Sequence, residues 1–338
     1  MKPFIYKAPG SMQEAIATVE PEGAGGQGGA FLAGGTTILD LMKLNVVAPP
    51  SLTDIGKLGL DDIEQNGDEI RVGARVTMAE AAEHPAFRER APVLSQALWK
   101  AASPQLRNVA TLAGNVLQRT RCPHFRDNIS PCNKRAPGSG CAAQGGVNRN
   151  LAVLGTSIHC IANYPGDWAN ALILFDAVVE TQLPGGGREI PFDGLHLPPE
   201  DHPERETALK DNELIVAFRL TLPEWARRSL YLKVRDRASY AFALTSAAVA
   251  LDMDGETVRE ARVAIGGAAT VPWRAKSVES YLAGKLLDEK VAMEAGRLAF
   301  EGAQGYERNR FKIPLGQRTV ARALLEAAAL ELSKKGES

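Results

Sequence analysis

Ala30-Phe31-Leu32-Ala33-Gly34-Gly35-Thr36-Thr37-Ile38-Leu39 is an apolar strand stopped by two glycines and continued as a helix, since Ile38, Leu39, Leu41 and Met42 recur at helical spacing. Upstream, Phe4 to Tyr6 reads as a short strand. Ser11-Met12-Gln13-Glu14 then places Ser and Glu at capping-box spacing ahead of Ala15, Ile16 and Val19. Downstream, Leu52 to Ile55 supplies a third strand. Strands alternating with helices predict a small parallel α/β lobe over residues 1–55. The glycine turn itself has two readings. It is either a tight turn with Thr as helix cap, or a place where backbone N–H groups and threonine hydroxyls face a bound anion.

Beyond this lobe the spacing predicts a strand at Ile70 to Ala74, a second capping box at Thr77 to Glu80, and a helix with Val93, Leu94, Ala97, Leu98 and Ala101 on one face. Residues 103–150 lose all periodicity, and a long irregular segment of this kind inside a compact domain is usually functional or disordered. Order is expected to resume at Thr156 to Ile161, with a helix at Trp168 to Phe175, strands at Ala177 to Gln182 and Leu214 to Phe218, and loops at Gly185-Gly186-Gly187 and Pro198 to Pro203. A boundary falls near Leu222-Pro223. After it, strands at Ser229 to Lys233, Ala247 to Met253 and Val258 to Ala264 precede helices at Ala275 to Leu282, Leu287 to Phe300 and Gln317 to Ser333. The expectation is an α+β protein. A small parallel α/β lobe (1–55) joins a larger mixed lobe (56–222) with a cysteine-rich insertion at 119–160, and a separate α+β domain follows at 223–338.

The 338 residues carry 39 Lys+Arg against 40 Asp+Glu, which leaves no overall basic field to hold a nucleic acid. No apolar run approaches the roughly 18 residues of a membrane span. The N-terminal residues resemble neither a Sec nor a twin-arginine signal, so the chain is expected to stay in the cytoplasm or to leave attached to an exported partner. Gly23-Ala24-Gly25-Gly26-Gln27-Gly28 matches G-x-G-x-x-G, but it lies between a helix and a strand, the reverse of a dinucleotide fold, and reads as a loop.

A second donor-rich turn, Arg107-Asn108-Val109-Ala110-Thr111-Leu112-Ala113-Gly114-Asn115, is either a capped helix or a partner to the first turn on one anion. Residues 100–150 hold Lys100, Arg107, Arg119, Arg121, Arg126, Lys134, Arg135 and Arg149 against the single acid Asp127, a surplus that either a solvated basic face or buried anions would explain. Cys122, Cys132, Cys141 and Cys160 are the only cysteines, with turn-forming Pro123, Pro131, Pro137, Gly138 and Gly140 among them. Disulfides need an oxidising compartment, and zinc sites favour C-x2-4-C knuckles that are absent here. An iron-sulfur cluster takes four thiolates. The residues alone leave cluster, zinc and free thiols equally open. His124 and His159 lie nearby and are left out of the coordination.

At this point the sequence resembles the FAD-binding medium subunit of the molybdenum hydroxylases, the xanthine dehydrogenase and aldehyde oxidoreductase family, from Phe4 to Ser333. Phe31-Leu32-Ala33-Gly34-Gly35-Thr36-Thr37, with Ile38, is similar to the first flavin pyrophosphate loop, and Arg107 through Asn115, with Asn108, Thr111 and Gly114, to the second. Pro165-Gly166-Asp167 resembles a Pro-Ser-Asp turn that places a carboxylate on the flavin's ribityl or adenosine side. Lys233 is similar to the lysine near the isoalloxazine, and Ile215 to a flavin-packing residue. Gly166 departs from the usual Ser, Leu112-Ala113 from Ile-Gly, and residues 22–29 lengthen a loop. The cysteine insertion, with Arg235 through Phe242, resembles the subgroup found in bacterial periplasmic aldehyde oxidoreductases. That resemblance implies a [4Fe-4S] cluster on all four cysteines, and the benzoyl-CoA reductase relatives are the runner-up.

The resemblance implies FAD and a heterotrimer. A large subunit carries the molybdenum cofactor, a small one carries [2Fe-2S] clusters, and this oxidoreductase subunit passes electrons through FAD to an external acceptor, with no catalytic acid or base of its own. It also implies a periplasmic location by co-export with a signal-bearing partner, with a cytoplasmic one as the alternative. A zinc-stabilised interaction subunit and a self-contained flavin oxidase are the other classes considered.

Overall fold

The computed structural model describes residues 1–19 and 28–331. Positions 23–27 of the glycine-rich stretch and the last residues of the final expected helix lie outside them. Strands β1 (Ile5–Lys7), β2 (Ala30–Leu32) and β3 (Ser51–Asp54) form a parallel sheet in the order β1-β3-β2. The helices Met12–Thr18 and Ile38–Lys43 lie between consecutive strands, as crossovers in a parallel sheet require. At Met12–Thr18 the capping box is half formed. The Ser11 side chain accepts from the Glu14 N–H, while the Glu14 carboxylate takes the Gly10 N–H instead of the Ser11 one.

The second lobe is built on β4 (Ile63–Asn66), β5 (Glu69–Gly73), β6 (Val178–Leu183), β7 (Gly186–Pro191) and β8 (Leu214–Thr221), antiparallel in the order β4-β5-β8-β6-β7. Helix Pro92–Lys100 contributes to the same core, with Val93, Leu94, Ala97 and Leu98 fully buried. Trp168 and Phe218 meet edge to face at 5.3 Å in this core. The complete capping box at Thr77 opens helix Met78–Glu83.

Strands β9 (Ser229–Val234), β10 (Thr245–Asp254), β11 (Thr257–Gly266) and β12 (Trp273–Arg274) form the third sheet, antiparallel in the order β12-β11-β10-β9. The helices Lys276–Leu282, Glu289–Ala299 and Lys312–Ala328 pack on it around a separate core that includes Val249, Val263, Leu282 and Leu324. The two faces of β10 serve two cores: Ala248 and Ala250 belong to that of the second lobe, Ala247, Val249 and Leu251 to that of the C-terminal part. Period-two side chains allow one strand to join both.

Three sequence expectations are corrected. Gly185-Gly186-Gly187 is not simply a loop. Gly185 and Gly186 make the turn at positive φ, and Gly186 already opens β7, whose polar, exposed residues hide its pairing with β6. Thr156 to Ile161 forms no regular element, and its polar groups are met by turns such as Ser157 N–H on the Cys160 carbonyl. The last helix begins at Lys312, five residues ahead of Gln317, because Lys312 points inward rather than marking a polar start.

Candidate flavin groove and cysteine pocket

The two glycine turns meet. A Cβ on Gly34 would lie 1.9 Å from the Val109 carbonyl oxygen, so only glycine allows the first turn to pack against the second. Gly35 sits at φ +70°, in the left-handed region. Thr111 caps helix Leu112–Val116 with its side chain on the Gly114 N–H, and this turn is fixed from behind by backbone bonds between Leu112 and Val76 and between Ala113 and Ala74.

Between the turns runs a groove of two joined chambers, about 380 and 580 Å³, with Thr36, Thr37 and Gly114 in the wall of both. The first is an apolar slot that includes Phe31, Ile38, Leu41, Val47, Leu214 and Ile215. The second is polar and aromatic, with Asp40, Asn115, Arg121, Asp167, Lys233 and Phe242 in its wall. An elongated groove whose waist is made of glycine and threonine suits a dinucleotide with its diphosphate at the waist. The buried Asn115 Oδ1 and Arg121 Nε have no partner within the protein, so polar capacity remains for a ligand.

Of the residues singled out from sequence, Phe31, Ala33, Gly34, Gly35, Thr36, Thr37, Ile38, Thr111, Gly114, Asn115, Asp167, Ile215 and Lys233 line the groove. Leu32, Arg107 and Asn108 do not. Leu32 accepts the Ile55 N–H in the sheet, and Asn108 is exposed just beyond helix Pro104–Arg107. Arg107 turns inward, donates to the Ala101 carbonyl at 2.7 Å and stacks on Trp99, so it braces the loop instead of offering its charge to an anion.

Asp167 and Lys233 are engaged with each other. The Lys233 ammonium donates to Asp167 Oδ2 at 2.7 Å and to the Lys100 carbonyl, and the Tyr231 hydroxyl donates to Asp167 Oδ1 at 2.6 Å. Both side chains of the pair are almost wholly buried. Burial, reinforced by the Asp167 carboxylate, holds the Tyr231 hydroxyl far above the ordinary phenol range. Gly166 also gains a reason: a Cβ there would lie 2.4 Å from the Tyr164 hydroxyl, which is itself bonded to the Val116 carbonyl, so Ser does not fit at this position.

The four cysteines are free thiols around one small, enclosed pocket. Cys132 and Cys141 face each other across a short antiparallel bridge. Asn133 ties that hairpin to the last arm, receiving the Gly140 N–H and donating to the His159 carbonyl. Arg135 joins it to the first arm through the His124 and Phe125 carbonyls. Burial pushes the Cys122 thiol up to about 12 and the Cys160 thiol to about 11. His124 uses both ring nitrogens on Ser130 and Val147, and His159 faces Asp201. Among the described residues no three His, Cys, Asp or Glu side chains converge closely enough to hold one metal ion.

The local positive surplus read along residues 100–150 is not a free field in space. Asp40 takes Arg121 and Arg126, Glu206 takes Arg119 and Lys134, and Asp236 takes Arg149. These acids stand far from the insertion in sequence, so their role was invisible there. Leu41 links the two sites, since it belongs to the apolar cluster that contains Cys122, Cys132 and Cys160 and it lines the apolar chamber.

Residues 2–225 match the FAD binding domain in molybdopterin dehydrogenase, and residues 230–332 the CO dehydrogenase flavoprotein C-terminal domain. The aldehyde oxidoreductase FAD-binding subunit PaoB of Escherichia coli is 45% identical, covering 97% of this chain and 99% of its own. The carbon monoxide dehydrogenase medium chain of Hydrogenophaga pseudoflava is 27% identical over 96% of this chain and 97% of its own. In a solved structure of carbon monoxide dehydrogenase from that organism, a chain 26% identical superposes with a TM-score of 0.74 over 97% of this chain and 99% of that one. Groove, fold and sequence agree: the chain belongs to the FAD-binding medium subunits of the molybdenum hydroxylases, a family of oxidoreductases.

Proposed function

We propose that the chain is the electron-exit subunit of a molybdenum-containing aldehyde oxidoreductase, receiving electrons from [2Fe-2S] clusters of a small partner and delivering them to an external acceptor. The observation that carries this reading is the near full-length similarity to an aldehyde oxidoreductase FAD-binding subunit, together with a groove whose waist suits a diphosphate. Bound FAD supplies the redox chemistry, accepting and releasing electrons singly or in pairs. The chain's own residues bind and orient. Gly34, Gly35, Thr36, Thr37, Thr111 and Gly114 would present backbone and hydroxyl donors to the diphosphate, Ile215 and Phe31 would pack one end, and Asn115 would offer its unpartnered oxygen. The Asp167–Lys233 pair, held by Tyr231, keeps a neutral polar wall in the second chamber.

Cys122, Cys132, Cys141 and Cys160 are proposed as the ligands of one [4Fe-4S] cluster. Four free thiols line one pocket, and a cluster held there would take one thiolate from each of them. The Ala162 N–H lies 3.4 Å from the Cys160 sulfur and would stabilise a thiolate. The large molybdenum-cofactor subunit and the small [2Fe-2S] subunit complete the proposed heterotrimer. The location proposed is the periplasm, reached by co-export after cofactors are inserted in the reducing cytoplasm.

Flavin, iron and molybdenum analysis of the purified complex, with aldehyde-driven bleaching of its visible spectrum, tests this reading. Bound FAD, four irons assigned to this subunit and bleaching by aldehyde are expected. A colourless protein, or zinc in place of iron, would overturn it. Turnover by the isolated chain would point instead to a self-contained oxidase.

A further inference from the structure

The cysteine insertion reaches into the flavin groove through two arginines. Arg121 and Arg126 both donate to Asp40 Oδ2, at 3.1 and 2.8 Å, and all three residues line the second chamber. Asp40 lies in helix Ile38–Lys43, one turn beyond the Thr36-Thr37 waist. One carboxylate shared by two guanidinium groups leaves a net positive charge facing the groove. The chamber as a whole sets Arg121, Arg126, Lys233 and Arg237 against Asp40 and Asp167. With Lys233 matched by Asp167, Arg121 and Arg126 over the single Asp40 leave one uncompensated positive charge for a diphosphate to meet.

Arg121 is also poorly solvated. Phe242 covers it at 5.0 Å, and its Nε is buried without a partner. A guanidinium partly withdrawn from water, sharing its counter-charge with a second arginine and keeping an unpartnered Nε, gains from a further anion. The other charges of the chamber do not fill this role, because Lys233 is matched by Asp167 and Arg237 is exposed and donates to the Tyr240 carbonyl.

We infer that Arg121 and Arg126 form a cationic subsite for the diphosphate of the bound flavin, contributed by the insertion and not by the two glycine turns. The inference rests on the reading that FAD occupies the groove. Arg121 is the residue before Cys122, so this subsite is fixed by the arm that enters the thiol pocket, and flavin affinity is linked to the order of that pocket.

The full chain, deflavinated and titrated with FAD at low and high salt, tests it. Arg121→Gln is expected to weaken FAD binding about tenfold at low salt, with the loss shrinking at high salt because a charge contact has been removed. Arg121→Lys should recover most of the affinity. Arg126→Gln, which removes the other donor to Asp40 Oδ2, should give a loss of the same kind and serves if Arg121→Gln does not fold. Undiminished affinity, a loss independent of salt, or failure of Arg121→Lys to recover would each overturn the subsite. Failure of the unmutated chain to bind FAD at any salt would instead overturn the flavin reading.

Discussion

The flavin groove and the cysteine pocket are linked through Leu41 but are made differently. The groove waist is backbone, two turns brought together by Gly34, and it offers chambers of about 380 and 580 Å³. The pocket is side chain: four thiols on loops with almost no regular structure, held by Asn133 and Arg135, around about 10 Å³ of free room. A site made of backbone donors tolerates change in most of its side chains. A site made of four ligands has no spare one. The difference teaches where each site is vulnerable, and it is open to four tests.

The largest effect is expected from the thiols. Cys141→Ser should remove nearly all iron from the subunit and leave most of the flavin, because Cys141 belongs to the arm away from the groove. Cys122→Ser should remove iron and weaken FAD as well, since Arg121 is its neighbour and lines the second chamber. Metal and flavin content of the two variants, measured side by side, decides this. Equal flavin retention in both would show the two sites to be independent.

Next in size is the buried pair beneath the flavin chamber. Lys233→Met leaves Asp167 as an uncompensated carboxylate with only the Tyr231 hydroxyl, and breaking a buried pair in this way costs about 3–5 kcal/mol. Denaturant unfolding of the variant should show that loss. Addition of Asp167→Asn should return part of it, because an amide keeps a hydrogen bond to Tyr231 without the buried charge. Absence of any recovery would mean that Lys233 acts through its Lys100 carbonyl contact instead.

These contrasts explain what the sequence discloses. The parallel lobe is legible because the apolar run Ala30 to Ala33 stops at Gly34-Gly35 and resumes at helical spacing from Ile38, and in the second lobe Thr77 to Glu80 is a capping box that forms in full. The groove residues are legible through the family resemblance of the two turns, since each turn alone reads equally as a capped helix start, and Arg107, which turns away, carries the same charge on paper as Arg121, which does not. What is hidden depends on distance along the chain. Asp40 lies 81 residues from Arg121 and Glu206 lies 87 from Arg119, so no local count finds the acids that neutralise the insertion. Strand β7 is hidden for another reason, since its exposed, polar residues leave only pairing with β6 to define it.

A glycine substitution probes the groove with a smaller effect. Gly35→Val is a poor choice, because at φ +70° a β-branched residue strains the backbone and the fold suffers together with the ligand. Gly114 is helical and exposed to the groove, and a Cβ there meets only Thr111 Oγ1 at 3.0 Å. Gly114→Val should therefore cost flavin affinity roughly tenfold, about 1.4 kcal/mol, while unfolding shifts by less. Flavin retention after gel filtration and thermal unfolding separate the two. A variant that loses stability but keeps flavin would move the diphosphate away from this turn.

The last test concerns how the insertion is held from behind. Lys312 is wholly buried, and its ammonium donates to the Asn150, Leu151 and Gly267 carbonyls, tying the end of the insertion to helix Lys312–Ala328 and the end of β11. No carboxylate accompanies it, and burial, with Arg149 adding repulsion, lowers its pKa from 10.5 to about 7 despite the three acceptors. Between those values the unfolded chain holds a proton that the folded chain has released. The unfolded state thus binds more protons, and stability rises with pH across the window, by at most about 1.4 kcal/mol per unit. Below about pH 7 both states are charged and this contribution is flat. Lys312→Met removes the titrating group, so the difference in unfolding free energy between the unmutated chain and the variant should grow with pH from 7 to 10 and stay constant from 5 to 6.5. A constant difference across the whole range would mean that the carbonyl cage keeps Lys312 charged, and that the insertion is anchored equally firmly at every pH.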